Sequence, residues 1–210
     1  PTNLAFDVER VRLVREEVGP NIIIRVDANS VFDTDVRASI SLARQLEPFN
    51  LDHIEQPLAG WNIDGMARVR DAIDIPLMAD ESLHSLDDAR RIIQAGAADV
   101  VKLKIAKNGG YRKCQEIIAL CKSAGVRVEM GNGINTSAAS LHELMLACSN
   151  PAICPAGEFP GPDKLVSDVM LEPMKITNGE AILPTGPGIG SDLDYEAFNA
   201  CRIDIKNLIS

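Results

Sequence analysis

The sequence predicts an α/β fold of the (β/α) barrel type. Short apolar, β-branched segments alternate with amphipathic segments of 10 to 16 residues, a pattern typical of parallel βαβ units. A charged residue stands at the end of each apolar segment, at Asp27, Glu55, Asp80, Lys104 and Glu129. This regular period of about 25 residues favours a barrel, whose strand ends meet at one mouth, over a doubly wound sheet.

The individual elements follow from the same alternation. The predicted strands are residues 21–29, 51–57, 75–82, 99–107 and 126–133, with 152–158 as a sixth. The predicted helices are 7–19, 36–47, 64–73, 85–96, 110–125 and 134–149. In the helix of residues 85–96, Ser85 is a suitable N-cap and Gly96 a suitable stop. Because six strands do not close an eight-stranded barrel, we expect the first barrel strands to lie upstream of Pro1.

Composition narrows the functional classes. The 210 residues are 46% hydrophobic and 24% charged, which fits one globular domain with a sizeable core. The net charge of −9, with no basic face, argues against a nucleic-acid partner. No apolar run approaches the length of a membrane span, so no membrane association is expected. Five scattered cysteines without a CxxC pair predict reduced thiols and a cytoplasmic protein.

Three carboxylates follow consecutive predicted strands, at Asp27, Glu55 and Asp80. At the mouth of a barrel these side chains would face one point, where they would repel each other without a cation. An all-oxygen ligand set suits a hard cation, so the sequence predicts a site for Mg²⁺, with Mn²⁺ as an alternative. The three histidines, at 53, 84 and 142, are interpreted as structural residues. No GxSxG or GxGxxG motif is present.

The next strand carries lysines in place of carboxylates. On an alternating strand, Lys102 and Lys104 share the inward side, next to the predicted metal site, while Val101 and Leu103 face outward. Lys107 follows the strand and is expected to face solvent. A divalent metal beside a lysine base suits removal of a proton α to a carboxylate, through an enediolate that the metal stabilises.

Four ordered segments resemble the enolase superfamily, and within it the mandelate racemase/muconate lactonizing enzyme family. They are "RVDAN" (25–29), "IEQP" (54–57), "MADES" (78–82) and "KLKIAKNGG" (102–110). The resemblance implies a TIM-like (β/α)₇β barrel and a separate N-terminal α+β capping domain, which would lie outside this chain. Residues 1–190 would form part of the barrel, and residues 191–210 a tail that packs against the barrel or the capping domain.

The resemblance also implies roles for individual residues. Asp27, Glu55 and Asp80 would bind Mg²⁺, with Asn29 and Glu81 supporting these ligands, and Lys104 would be the acid/base. Glu129 and Glu158 are candidates for substrate contacts. A lysine at the end of the sixth barrel strand is typical of the muconate-lactonizing subgroup. Lys102 is the second candidate for a catalytic lysine, although many family members have an uncharged residue at its position.

Several outcomes stay open on the sequence alone. The subgroup includes racemases and epimerases, cycloisomerases and dehydratases acting on small carboxylates, and homo-oligomers are expected. The resemblance implies that the second-strand lysine motif and the capping domain, which set specificity, would lie upstream of Pro1. A catalytically silent barrel fragment that binds metal is the alternative from another class. A different carboxylate-metal barrel, such as an aldolase, gives no reason for the four motifs together.

Overall fold

The computed structural model describes residues 4–202, which form two compact units. Among these residues, the first unit comprises 4–103 and 107–129, and the second comprises 104–106 and 130–202. None of the helices within residues 4–202 has the length and apolar character needed to cross a bilayer.

The first unit repeats strand and helix as the sequence predicts. Its helices are α1 (Leu4–Val18), α2 (Val36–Leu46), α3 (Ile63–Arg70), α4 (Leu86–Ala95) and α5 (Tyr111–Ser123). The strands are β1 (Arg25–Asp27), β2 (His53–Glu55), β3 (Leu77–Ala79), β4 (Val100–Leu103) and β5 (Arg127–Met130). All five predicted strands within this part of the chain are present, but each is shorter than predicted.

The five strands form one sheet in the order β1-β2-β3-β4-β5. The pairs from β1 to β4 are parallel, and the register of β1 and β2 places Asp27 directly opposite Glu55. Each strand therefore lies beside the strand that follows it in sequence, without the reversal of order found in doubly wound sheets. This topology agrees with a barrel wall, and it brings the carboxyl ends of successive strands to one edge.

Local sequence explains where the helices begin and end. The Ser85 hydroxyl accepts a hydrogen bond from the Asp88 backbone N–H, and Gly96 ends α4 with φ +62°. Both assignments confirm the prediction, since a hydroxyl at the N-cap and a left-handed glycine after the last turn satisfy the terminal backbone groups. The helices pack apolar faces on the sheet, whose core residues include Leu77, Val101 and Leu103, each fully buried.

The second unit is built around α6 (Ser137–Ser149). The Asp168 carboxylate accepts hydrogen bonds from the Ser137 backbone N–H, at 2.8 Å, and from the Ser137 hydroxyl. Leu141 and Leu144 of α6 form a small core with Met174. Further elements of this unit are a 3-10 helix (Pro162–Lys164), β6 (Ile176–Thr177), β7 (Glu180–Ala181) and α7 (Tyr195–Cys201). Helix α7 lies in the predicted tail, and residues 203–210 of that tail lie outside the described residues.

The prediction of a sixth strand at residues 152–158 is wrong. This segment is irregular apart from a single bridge residue at Ile153. It contains Pro155 and follows Pro151, and proline cannot donate to a strand ladder. The antiparallel hairpin of β6 and β7 was not predicted from the sequence. Its turn contains Asn178 and Gly179, both at positive φ, and Asn-Gly between short apolar segments is a strong hairpin signal.

A candidate metal and acid/base site

The three predicted metal-binding carboxylates lie at the carboxyl ends of three adjacent strands. Asp27 is the last residue of β1, Glu55 the last of β2, and Asp80 directly follows β3. Asp27 and Glu55 are register partners, and the Gln56 N–H donates to the Met78 carbonyl on the far side. The fold of the first unit thus brings the three residues to the same edge of the sheet.

The charges of Asp27 and Asp80 both act on the carboxyl group of Glu55. Asp27 is exposed, whereas Glu55 and Asp80 are buried. Burial raises the pKa of Glu55 to about 8, and the negative charges of Asp27 and Asp80 raise it further, against the opposing charge of Lys102. A nearby cation would stabilise the ionised form of a carboxyl group in this environment, as expected for grouped carboxylates.

Lys102 lies inside β4 and is 2% exposed, among the largest fully buried side chains of the described residues. Its Nζ donates to Glu55 Oε2 at 2.5 Å. The inward orientation predicted for Lys102 is therefore observed. The strand ends at Leu103, so the predicted alternation does not extend to Lys104, which lies one residue beyond β4.

Lys107 was expected to face solvent, and this expectation is wrong. Its side chain is only 15% exposed and forms an ion pair with the Asp80 carboxylate. The Nζ group also donates to the Asp80 carbonyl at 2.7 Å and to the Lys102 carbonyl at 3.1 Å. The turn after β4 directs the lysine back toward the sheet, which residue counting along an extended strand could not predict.

Two further residues hold the carboxylates in place. The Asn29 backbone N–H donates to Asp27 Oδ1 at 2.8 Å, so Asn29 supports a proposed ligand through its main chain. Gln56, which the sequence analysis did not single out, is fully buried, and its Oε1 accepts from the backbone N–H groups of Asp80 and Ser82. Its position directly after Glu55, inside the "IEQP" segment, was the available signal.

Glu81, the second predicted support, is partly buried next to Asp80. Its carbonyl oxygen lies 3.1 Å from His84 Nε2. Gly60 packs against the same carbonyl so closely that a Cβ atom there would come within 2.3 Å of it. A side chain at position 60 would therefore displace the backbone beside Asp80.

We call Asp27, Glu55, Asp80, Lys102 and Lys107 the carboxylate–lysine cluster. When all five groups are ionised, the three carboxylates and two ammonium groups leave one negative charge in excess. Glu55 Oε1 is buried and has no hydrogen-bond partner within the described part of the chain. An oxygen of this kind is costly unless a donor or cation satisfies it. The oxygen-only ligand set and the uncompensated charge fit a hard divalent cation such as Mg²⁺.

A second charged cluster lies elsewhere in the first unit. Ligand atoms of Asp52, His53 and Glu129 fall within 4.8 Å of one another, a grouping that a metal ion could use. Arg25 Nη1 lies 3.1 Å from Glu129 Oε2, and Arg127 Nη2 lies 2.5 Å from Asp52 Oδ2. We call these five residues the arginine–carboxylate cluster.

The charges of the arginine–carboxylate cluster are already balanced. Burial alone would raise the pKa of Asp52, but the His53 hydrogen bond and the Arg127 charge outweigh it and lower the pKa. Burial lowers the pKa of His53 to about 4, which keeps this ring neutral at pH 7. Two guanidinium groups thus match two carboxylates, and a bound cation would have to displace them.

Glu129 belongs to this balanced cluster. It lies within β5, is 1% exposed, and has Arg127 Nε 3.2 Å from Oε1 in addition to its contact with Arg25. Burial raises its pKa, and the two arginines oppose that effect. A substrate contact by Glu129 stays a prediction.

The remaining predicted residues, Lys104 and Glu158, lie in the second unit. Lys104 is partly buried, and its charge acts on Glu143, a buried carboxyl of α6. Burial raises the pKa of Glu143 to about 7, while hydrogen bonding by Asn132, the Ile105 N–H and the Lys104 charge oppose it. The Glu158 N–H donates to the Met130 carbonyl at 3.0 Å, and Glu158 lines a cavity of about 830 Å³.

Comparison with known proteins assigns this arrangement to a family. Residues 1–197 match the family described as enolase C-terminal domain-like. The chain belongs to this family. The match confirms the resemblance inferred from the four motifs, and members of this group are muconate cycloisomerases, racemases and epimerases.

Individual relatives are similar over most of the chain. Muconate cycloisomerase 1 from Rhodococcus opacus is 30% identical over 92% of the chain and 51% of its own length. The N-succinyl-L-Arg/Lys racemase from Bacillus cereus is 38% identical over 80% of the chain and 45% of its own length. A solved dipeptide epimerase from Cytophaga hutchinsonii, complexed with Mg and the dipeptide D-Ala-L-Val, superposes with a TM-score of 0.87 at 28% identity. That superposition covers 95% of this chain and 54% of the epimerase.

The chain spans about half the length of the curated relatives that it matches. Those relatives are enzymes with TIM-barrel folds, and this chain matches their C-terminal part.

Proposed function

We propose that the complete protein is a Mg²⁺-dependent enzyme that removes the proton α to the carboxylate of a small-molecule substrate. The observation that carries the proposal is the set of three carboxylates on adjacent strand ends, with Glu55 Oε1 buried and without a hydrogen-bond partner. When bound, a divalent metal supplies positive charge that stabilises negative charge developing on the substrate carboxylate.

In this proposal the residues of the chain have distinct tasks. Asp27, Glu55 and Asp80 bind the metal, and Gln56 keeps the strand end that carries Asp80 in place through two backbone hydrogen bonds. Lys104 follows β4 directly, 24 residues after Asp80, and is the proposed carrier of the substrate proton. A lysine serves as an acid/base when its surroundings bring its pKa toward the working pH.

Racemisation or epimerisation of N-acylated amino acids or dipeptides is the first reaction class to test. The N-succinyl-L-Arg/Lys racemase has 38% identity to this chain, against 30% for muconate cycloisomerase 1. Cycloisomerisation is the second class, because cycloisomerases are similar over a larger share of the chain. Both classes include transfer of a proton at the carbon α to a carboxylate.

The test is exchange of the substrate α-proton for deuterium in D₂O, followed by NMR with Mg²⁺ and a panel of N-acyl amino acids, dipeptides and muconolactones. We expect Mg²⁺-dependent exchange with at least one member. Lys104→Ala should slow exchange by about 1000-fold while Mn²⁺ binding persists, because the proton carrier is lost and the ligands remain.

The matched control is Lys113→Ala, which removes an exposed lysine of α5 and should leave exchange unchanged. Full exchange by Lys104→Ala would exclude Lys104 as the proton carrier. Mn²⁺ binding without exchange on the whole panel would favour a silent metal-binding barrel.

A further inference from the structure

Lys102 is an unusual residue for the interior of a strand. It is 2% exposed, and its neighbours Val101 and Leu103 are fully buried and apolar. A buried ammonium group is costly unless it is paired, and its partner here is the carboxylate of Glu55.

Lys102 occupies only one of the two oxygens of the Glu55 carboxylate. Lys102 Nζ contacts Oε2 at 2.5 Å, whereas Oε1 is buried without a hydrogen-bond partner. A metal can therefore bind Oε1 while Lys102 stays on Oε2. Lys107 contacts Asp80 in a similar way, so two of the three proposed ligands already carry a positive neighbour.

We propose that Lys102 is an internal counter-ion of Glu55 that stabilises the metal-free site and weakens its hold on the metal. The inference rests on the proposed function, because it takes Glu55 as a metal ligand. A cation on Oε1 and the ammonium group on Oε2 repel each other, and this repulsion opposes metal binding. Without a metal, the same ammonium group compensates a carboxylate that would otherwise be buried alone.

The charge of Lys102 also bears on the substrate. Three ionised carboxylates, the ammonium groups of Lys102 and Lys107 and one divalent cation sum to a positive charge. This charge, to which Lys102 contributes, favours an anionic substrate, so metal and substrate strengthen each other's binding.

The test is a Mn²⁺ titration of the complete protein, followed by electron paramagnetic resonance without substrate at pH 8.5, where protons compete least for the carboxylates. We expect Lys102→Met to bind Mn²⁺ about tenfold more tightly than wild type. Its melting temperature in EDTA should be lower, and saturating Mn²⁺ should raise that temperature more than in wild type. Lys122→Met, at an exposed position of α5, should leave both quantities unchanged.

Mn²⁺ affinity separates this role from a purely structural one, since a loosened site would bind the metal more weakly. Unchanged or weaker binding by a folded Lys102→Met variant would overturn the inference. If that variant does not fold, Lys102→Gln, which keeps a donor for Glu55 but removes the charge, should show the same tightening. Undiminished Mn²⁺ binding by Asp80→Asn would instead refute the proposed metal site itself.

Discussion

The carboxylate–lysine cluster and the arginine–carboxylate cluster lie in the same unit, yet their negative charges are compensated to different extents. In the arginine–carboxylate cluster, Arg25 and Arg127 match the two carboxylates, and Glu129 is 1% exposed. In the carboxylate–lysine cluster, two lysines face three carboxylates. Buried carboxylate oxygens without a hydrogen-bond partner occur in both clusters, at Glu55 Oε1 and at both oxygens of Glu129. The clusters therefore differ in their balance of charge, and we expect a metal where the cations of the chain leave a carboxylate uncompensated.

The largest effect expected from breaking the arginine–carboxylate cluster comes from Arg25→Met. This change removes one of the two positive neighbours of Glu129, and breaking a buried ion pair leaves an uncompensated charge. We expect the free energy of unfolding to fall by about 3 kcal/mol, the lower end of the usual range, because Arg127 remains. Chemical denaturation measures this loss.

Mn²⁺ affinity provides the contrasting measurement for Arg25→Met. It should be unchanged, since the arginine–carboxylate cluster is assigned to stability. Tighter Mn²⁺ binding by this variant would indicate that Arg25 excludes a metal from Asp52, His53 and Glu129. It would contradict the assignment of metal binding to the carboxylate–lysine cluster alone.

A smaller change in the free energy of unfolding is expected when the pH is lowered. Burial holds the pKa of His53 at about 4 in the folded protein, below its ordinary value of 6.5. Below pH 6.5 the unfolded chain binds a proton at His53 that the folded protein does not, so the contribution of His53 to stability falls as the pH decreases toward 4. The raised pKa values of Glu55 and Glu143 act in the opposite direction, so the His53 contribution is read as the difference between wild type and a His53 variant. Between pH 6.5 and pH 5 this loss amounts to about 1.5 kcal/mol from His53.

His53→Asn should remove this contribution, and unfolding measured at both pH values tests it. The lowered pKa of Asp52 acts only at more acidic pH, because the ionised carboxylate loses its stabilising effect below its ordinary pKa. An equal loss between pH 6.5 and pH 5 in the His53→Asn variant would assign the acid sensitivity to other groups.

Much of this arrangement could be predicted from the sequence because it depends on periodicity. The strand ends at Asp27, Glu55 and Asp80 follow from a period of about 25 residues, and parallel strands bring such ends to one edge. The orientation of Lys102 follows from alternation along β4.

Contacts made after a strand ends could not be predicted in this way. Lys107 reaches Asp80 through a turn, and the pairing of Arg25 with Glu129 joins residues more than 100 positions apart. The hairpin at Asn178 and Gly179 carried a recognisable signal, but it does not belong to the strand–helix repeat that dominates the sequence. Residues 152–158 do not form the predicted strand, because proline cannot donate to a strand ladder even where the neighbouring residues are apolar.

The central claim is that the metal binds the carboxylate–lysine cluster. Crystals of the complete protein grown with Mn²⁺ and measured at the manganese absorption edge would locate the ion by its anomalous signal. The account predicts a peak about 2.2 Å from carboxylate oxygens of Asp27, Glu55 and Asp80, a usual length for oxygen ligands of such ions. A peak between Asp52, His53 and Glu129, with none at the carboxylate–lysine cluster, would contradict it.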